Sequence, residues 1–496
     1  MWLIEGFKIA LSPLNLGVAF IACWIGTLVG VLPGLGPTSA VALLFPISIL
    51  LPPETALMAL GAIFYGAMYG GSTTAILLNI PGEISSVPAT IEGYPLTKRG
   101  RGGSALVICA LVSFMGGILA LLGLAFFAPI LAEFALTFGP YEYFSLMVFS
   151  LTCVAGLSGR SLARGIALGC LGLFLALVGA EPGSDLFRLT FNSTHLYSGF
   201  DVISVVIGLF GISEVLIGIQ EETKAIFKGK IKIGNLMPNG PELSLGLKAG
   251  VRGSILGTVL GLLPGVLPSI SAFISYSVEG KVAKERHLFG KGAMEGIAGP
   301  EAANNATAVA GFIPLMALGI PTGPVMAIVL AALLVHGVIP GPLMFTTHKT
   351  LTSAVIASFF IGNVILVILN IPLVGIWVRL AMIPYRILAP IILALCFWGA
   401  YCIRNSVFDI WVAVGFGLLG YVMKKYNLPA APFVLGFILG DPIELHLRQV
   451  MALGPFSLTL QHPIAMALLT CAVIVVILYT VFRGKREVVA AAIEED

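Results

Sequence analysis

Long apolar runs recur along this chain, at residues 14–32, 57–80, 104–131, 141–157, 165–180, 200–219, 246–263, 352–376, 384–402, 406–423 and 463–482. A helix needs about 20 residues to cross a hydrocarbon layer ~30 Å thick. Lipid accepts only segments that satisfy their own backbone hydrogen bonds. The runs do not alternate apolar with polar residues, as the strands of a membrane barrel would. With 10% charged residues, against roughly a quarter in soluble domains, the chain lacks the groups to cover a water-facing surface. The expected fold is an all-α polytopic membrane protein of about 11–13 transmembrane segments.

Several function classes fall away early. The start, "MWLIEGFKIALSPLNLGVAFIACWIG", has neither a basic n-region nor a small-residue cleavage site and reads as retained rather than as a signal peptide. All seven cysteines lie in apolar runs without CxxC spacing, so they read as packing residues and supply no disulfide or metal framework. The six histidines are scattered, and no Walker A sequence is present. No nucleophile and base are paired at membrane depth, so the chain is expected not to be an enzyme and to need no cofactor. The net charge of +3 comes without a basic patch interleaved with aromatics, so nucleic acid is not an expected partner.

Basic residues cluster at 98–101, 159–164, 224–232, 281–291, 424–425 and 483–486. The positive-inside rule assigns these to the cytoplasmic face. Tracing the spans between them closes without contradiction and puts the N-terminus outside and the C-terminal tail inside. The corresponding division is a first half at 1–220, a cytoplasmic linker at 221–245, a second half at 246–482 and a cytoplasmic tail at 483–496.

The first apolar run ends in "GVLPGLGPTSA" (30–40), where glycine and proline end a helix at membrane depth. The motif has a copy. "IGTLVGVLPGLGPTSA" (25–40) aligns without gaps on "LGTVLGLLPGVLPSIS" (256–271), and Gly26/Gly257, Thr27/Thr258, Gly30/Gly261, Leu32/Leu263, Pro33/Pro264, Gly34/Gly265 and Pro37/Pro268 are identical. "LLNIPG" (77–82) and "ALGIPTG" (317–323) repeat in the same order at a slightly larger offset. Equivalent loops carry opposite charge bias: "LPPET" (51–55) corresponds to the basic "KVAKERHLFGK" (281–291), and the basic 92–103 to the uncharged 333–344. That reversal marks two inverted-topology repeats with broken or re-entrant helices, an architecture that places a substrate site at the bilayer midplane.

Irregular backbone at that depth survives only inside protein or beside a water-filled cavity. The helices after the two breaks begin with hydroxyl residues, Thr38 and Ser39 in one and Ser269 and Ser271 in the other. Their N-termini would offer free amides and the positive end of a helix dipole to a carboxylate. Ser72, Thr73, Thr74 and Asn79 in one half, and Glu301, Asn304, Asn305, Thr307 and Thr322 in the other, put polar groups where lipid would penalise them. The expected substrate contacts are Gly36, Thr38, Ser39, Ser72, Thr73, Thr74, Ser269, Ser271, Asn304 and Asn305. Asn79, Glu301, Thr307 and Thr322 are the expected coupling residues. Close helix packing competes for the small residues, and a helix N-cap competes for Glu301. Asn363, Asn370 and Asp441 read as interhelical hydrogen-bond partners or caps, and Arg252 as a side chain reaching the cytoplasmic interface.

"GVLPGLGPTSAVALLFP", "YGGSTTAILLNIPGEISSVPATIEGYPLTKRGRGGSAL", "GPEAANNA" and "LGIPTGP" resemble the signature segments of the large permease subunit of bacterial tripartite tricarboxylate transporters. The resemblance covers roughly residues 15–480. It implies an inner-membrane secondary transporter working with a small membrane subunit and a periplasmic solute-binding protein. The cargo would be citrate or another carboxylated small molecule, and the driving force a gradient of Na⁺ or H⁺. The alternatives are a passive anion channel built on the same broken helices and an intramembrane enzyme.

Overall fold

The computed structural model describes residues 2–32, 35–157, 161–182, 184, 186–220, 237–283, 286–380 and 385–494. Pro33 and Gly34 of the first break, and most of the expected linker, lie outside the described residues.

The first unit opens with α1 (Trp2–Ala10) and then α2 (Pro13–Val31) and α3 (Pro37–Ser48), which flank the first break. After α4 (Pro53–Leu78) the chain turns back through a short 3₁₀ turn into α5 (Val87–Lys98) and then α6 (Gly102–Ala135). α7 (Pro140–Leu157) and α8 (Leu162–Ala176) follow, then a two-stranded hairpin of β1 (Gly179–Ala180) and β2 (Phe187–Arg188). α9 (Val202–Val206) and α10 (Ser213–Gln220) form one helix interrupted by a π turn at Ile207–Ile212.

The second unit repeats this order. α11 (Gly240–Gly261) and α12 (Pro268–Val282) flank the second break, and α13 (Met294–Ala310) continues into α14 (Phe312–Leu318). A turn-back leads to α15 (Pro324–Val335), α16 (Met344–Thr347) and α17 (Lys349–Asn370). α18 (Val374–Leu380), α19 (Tyr385–Arg404), α20 (Val407–Lys425), α21 (Ala430–Leu453) and α22 (Pro463–Glu494) complete the chain. Residues 300–338 are therefore helix, break and short helix, and α21 adds a long helix between the apolar runs at 406–423 and 463–482.

The glycines shared by the two copies have a packing cause. Gly26 and Gly30 of α2 lie against the backbone of Ile63 and Ala67 in α4, while Gly257 and Gly261 of α11 lie against Ala303 and Thr307 in α13. A Cβ at any of the four would collide with a neighbouring backbone, so each pair of helices runs parallel in direct main-chain contact.

The units are also inverted in space. Leu77, late in α4, lies against Gly102 at the start of α6. Tyr69, earlier in α4, shares Asn363 of α17 with Gly117, well along α6. α6 therefore runs opposite to α4. It runs with α11, where Gly246 meets Ile108 and Gly250 meets Met115.

Seven of the described helices are long and apolar enough to cross a membrane, the segments 13–31, 102–135, 202–220, 349–370, 386–404, 407–425 and 430–453. α4 and α13 are not among them, and they are the most enclosed: α4 is buried from Thr55 to Leu78 and α13 along its whole length. A helix walled in by protein has no lipid to satisfy and can carry polar and small residues on every face. Tyr65 of α4, Phe312 of α14 and Phe359 of α17 close the core between the units, with ring centroids 5.0 Å (Tyr65 to Phe359) and 4.7 Å (Phe312 to Phe359) apart.

Candidate functional site

Both breaks and both turn-backs open onto one cavity of about 680 Å³. Each break is made by proline where proline does least harm. Pro37 and Pro268 begin α3 and α12, and Pro324 begins α15, at positions whose N–H would have no helical partner anyway. The turn-backs share their geometry too. Asn79 (φ 59°) and Gly319 (φ 74°) end α4 and α14 in the left-handed region. The next residue closes a matching bond in each: Ile80 N–H donates to Thr74 O at 3.4 Å and Ile320 N–H to Pro314 O at 3.3 Å. The chain then folds back toward the break, where Gly82 N–H donates to Gly71 O (3.4 Å) and Gly265 N–H to Thr322 O (3.0 Å).

Four helices of the two units consequently start at the cavity wall: α3 at Gly36, α5 at Val87, α12 at Leu267 and α15 at Gly323. In α3, α12 and α15 no side chain caps the first turn, whereas α5 continues from the 3₁₀ turn at Ile84–Ser86, which the Glu83 side chain caps. A helix N-terminus carries about half a positive charge through its unpaired amides, so the wall attracts anions although no arginine lines it.

Of the expected substrate contacts, Gly36, Thr38, Ser39 and Ser269 line the cavity, as do the expected coupling residues Thr307 and Thr322. Ser39 Oγ donates to Phe210 O at 2.8 Å, within the π turn of the neighbouring helix. Ser271 sits one layer behind: its hydroxyl donates to Pro268 O (2.9 Å) and lies 2.7 Å from Thr307 Oγ1, itself 2.9 Å from Gly257 O. Ser72, Thr73 and Thr74 are buried in α4 away from the cavity, and Asn79 is the exposed C-cap described above. Arg252 pairs with Glu279 through Nε at 2.9 Å and takes no part in the wall.

Glu301, Asn304 and Asn305 form a buried network beside the cavity. Asn305 Nδ2 donates to Ser113 Oγ (2.9 Å), Glu301 O (3.0 Å) and Asn304 Oδ1 (2.6 Å). Asn304 Nδ2 donates to Glu301 Oε2 and to Ser85 Oγ, both at 3.3 Å, and the Ser85 hydroxyl donates onward to the Glu83 carboxylate. Glu301 Oε1 and Ser72 Oγ make no hydrogen bond of good geometry, and the Ser72 hydroxyl and the Cys109 thiol face the Glu301 carboxylate.

Sequence reasoning missed the charged groups of the wall: Glu83, from the first turn-back, and the ion pair of Glu214 with Lys424. Glu83 could have been found as the one acidic residue within the "NIPGE" break. Lys424 reads from the sequence as a marker of orientation, and the structure places it in the cavity wall. Among the described residues, no group of three or more His, Cys, Asp or Glu side chains could hold a metal ion.

The profile of the tripartite tricarboxylate transporter TctA family matches residues 16–435. The chain belongs to this family. A relative from Agrobacterium vitis, a "52.8 kDa protein in TAR-I ttuC' 3'region", is 42% identical over 495 residues, 99% of this chain and 98% of the relative. A second protein of that organism, in the TAR-II ttuC' 3'region, is 45% identical over 221 residues, 44% of this chain and 91% of its own length. No solved structure matches. The TctA-family membership agrees with the breaks and their order along the chain, since every segment that lines the cavity falls inside the matched residues.

Proposed function

We propose that this TctA-family chain is the permease of a secondary uptake system for small carboxylates, driven by Na⁺ or H⁺. The observation that carries the reading is the convergence of three uncapped helix N-termini, α3 of one unit and α12 and α15 of the other, on one cavity. Carboxylates are among the small anions such ends hold. The hydroxyls of Thr38 and Ser269 supply further donors, and Ser39, whose proton goes to Phe210 O, fixes the first turn of α3, while Ser72, Thr73, Thr74, Ser271, Asn304 and Asn305 support that wall from behind. Thr307, Thr322 and Glu301 lie where coupling to a cation would act, and Asn79 acts through the shape of the turn-back.

The chain would sit in the bacterial inner membrane with its N-terminus periplasmic and its C-terminus cytoplasmic. A small membrane subunit and a periplasmic solute-binding protein would complete it. Rocking of each unit's broken segments against the rest would expose the cavity to one side and then the other.

The experiment is uptake of radiolabelled carboxylates into proteoliposomes holding all three components. Replacing Thr38 and Ser269 together by valine is expected to cut uptake by about tenfold or more, as the loss of one or two hydrogen bonds to a charged group implies. Unchanged uptake would move the solute away from the helix starts. Flux indifferent to both the binding protein and the cation gradient would make the chain a passive channel.

A further inference from the structure

The cavity holds a carboxylate of its own. Glu83 enters the wall from the irregular stretch between α4 and α5, and no basic side chain among the described residues forms an ion pair with it or with Glu301. The neighbouring charges already cancel, because Lys424 is paired with Glu214. The uncapped starts of α3, α12 and α15 draw a carboxylate solute to the wall, and Glu83 in its charged form repels it. A multiply charged solute is therefore accommodated best when Glu83 is neutralised. Resting on the carboxylate reading above, we propose that Glu83 is the coupling residue: a monovalent cation, Na⁺ or H⁺, binds at its carboxylate and is required before a di- or tricarboxylate can occupy the helix ends.

A second observation points to the same cation. Glu83 is tied through Ser85 and Asn304 to Glu301, a fully enclosed carboxylate whose Oε1 makes no hydrogen bond of good geometry and is faced by the neutral Ser72 and Cys109 side chains. Two linked carboxylates in a low-dielectric wall, with no basic partner, carry a heavy desolvation cost unless a positive charge is shared between them. The groups facing this chain from other elements are Tyr69 of α4 and Cys109 of α6, neither of which supplies that charge. The second unit has no such carboxylate, since Gly323 stands at the position equivalent to Glu83. One coupling site per cavity follows.

The test uses the full chain reconstituted with its small membrane subunit and binding protein. Uptake of acetate, succinate and citrate is measured against graded Na⁺ at fixed pH, and against graded pH without Na⁺. In the wild type one of the two cations is expected to raise uptake of a di- or tricarboxylate by about tenfold, inside the usual range of coupling between two bound ligands. Glu83→Gln is expected to reduce that response to less than about twofold, while raising uptake in the absence of the cation. Glu83→Asp should restore the response.

A Glu83→Gln protein whose cation response matches the wild type overturns the proposal. A wild type that takes up none of the three solutes overturns the carboxylate reading itself. Should Glu83→Gln not fold, Ser85→Ala decides: it leaves both carboxylates in place and is expected to raise the half-maximal cation concentration by about fivefold, and an unmoved curve overturns the proposal.

Discussion

The two turn-backs, after α4 and after α14, share a backbone and differ in what they carry. Both begin at a left-handed residue, Asn79 or Gly319, and both close the same bond one residue later. The first then inserts Glu83 and a 3₁₀ turn before α5, while the second runs through Thr322 and Gly323 straight into α15. The two units share the scaffold that delivers helix ends to the cavity, and they diverge in the side chains that face it. That is the expected outcome if packing constrains the backbone in both units and charge balance tolerates one carboxylate.

The comparison can be broken most forcefully at the residues behind the tips. Gly82 is wedged against Gly30 O and the Cα of Gly71, whereas its near neighbour in the other turn-back, Gly323, meets only the flexible Leu267 side chain. Gly82→Ala is expected to destabilise the protein by about 3 kcal/mol or more, and Gly323→Ala by less than about 1 kcal/mol. Thermal unfolding in detergent, monitored by size-exclusion fluorescence, measures both. Equal effects would erase the distinction drawn between the turn-backs.

Next in size is the ion pair. Lys424→Met leaves Glu214 in the cavity wall with that partner removed, and should raise the KM for a dicarboxylate by about tenfold, with a smaller change for a monocarboxylate. Concentration series for the two solute classes give the ratio. A uniform rise would show that Lys424 sets structure rather than preference.

The smallest effects lie at the left-handed caps. Gly319→Asn places the first unit's residue in the second, where its Cβ comes within 2.9 Å of Pro340 O, and should cost about 1–2 kcal/mol. Asn79→Gly, in the open, should change stability by no more than about 0.5 kcal/mol. Melting temperatures of the two variants side by side would show whether the shared backbone is held equally firmly in both units.

Much of this was legible in the chain itself. Proline and glycine in an apolar run announce a break whatever surrounds them, so both breaks, their duplication and the hydroxyls at the first turn of the next helix could be read directly. Thr38, Ser39 and Ser269 reached the cavity because a residue in the first turn has few ways to point elsewhere. Asn304 and Ser72 are a different matter: their depth depends on the rotation of a fully enclosed helix. Hydropathy has no period to report when every face is buried, as in α4 and α13. Asn79 misled because asparagine suits both polar contact and left-handed backbone, and the structure uses the second. Glu83 escaped notice because a turn-back has no periodicity from which to infer the direction of a side chain.

The glycine contacts between α2 and α4, and between α11 and α13, also have a mechanical meaning. Main chain pressed on main chain leaves no side-chain layer to shear, so each pair behaves as a stiff beam. The described residues that join those beams to the next helices, Leu35 and Gly36 in one unit and 262–267 in the other, are the joints at their ends. Load applied in the cavity is then expected to be taken up by the joints before the beams part, so that under the proposed function the compliance of each unit would lie next to the solute.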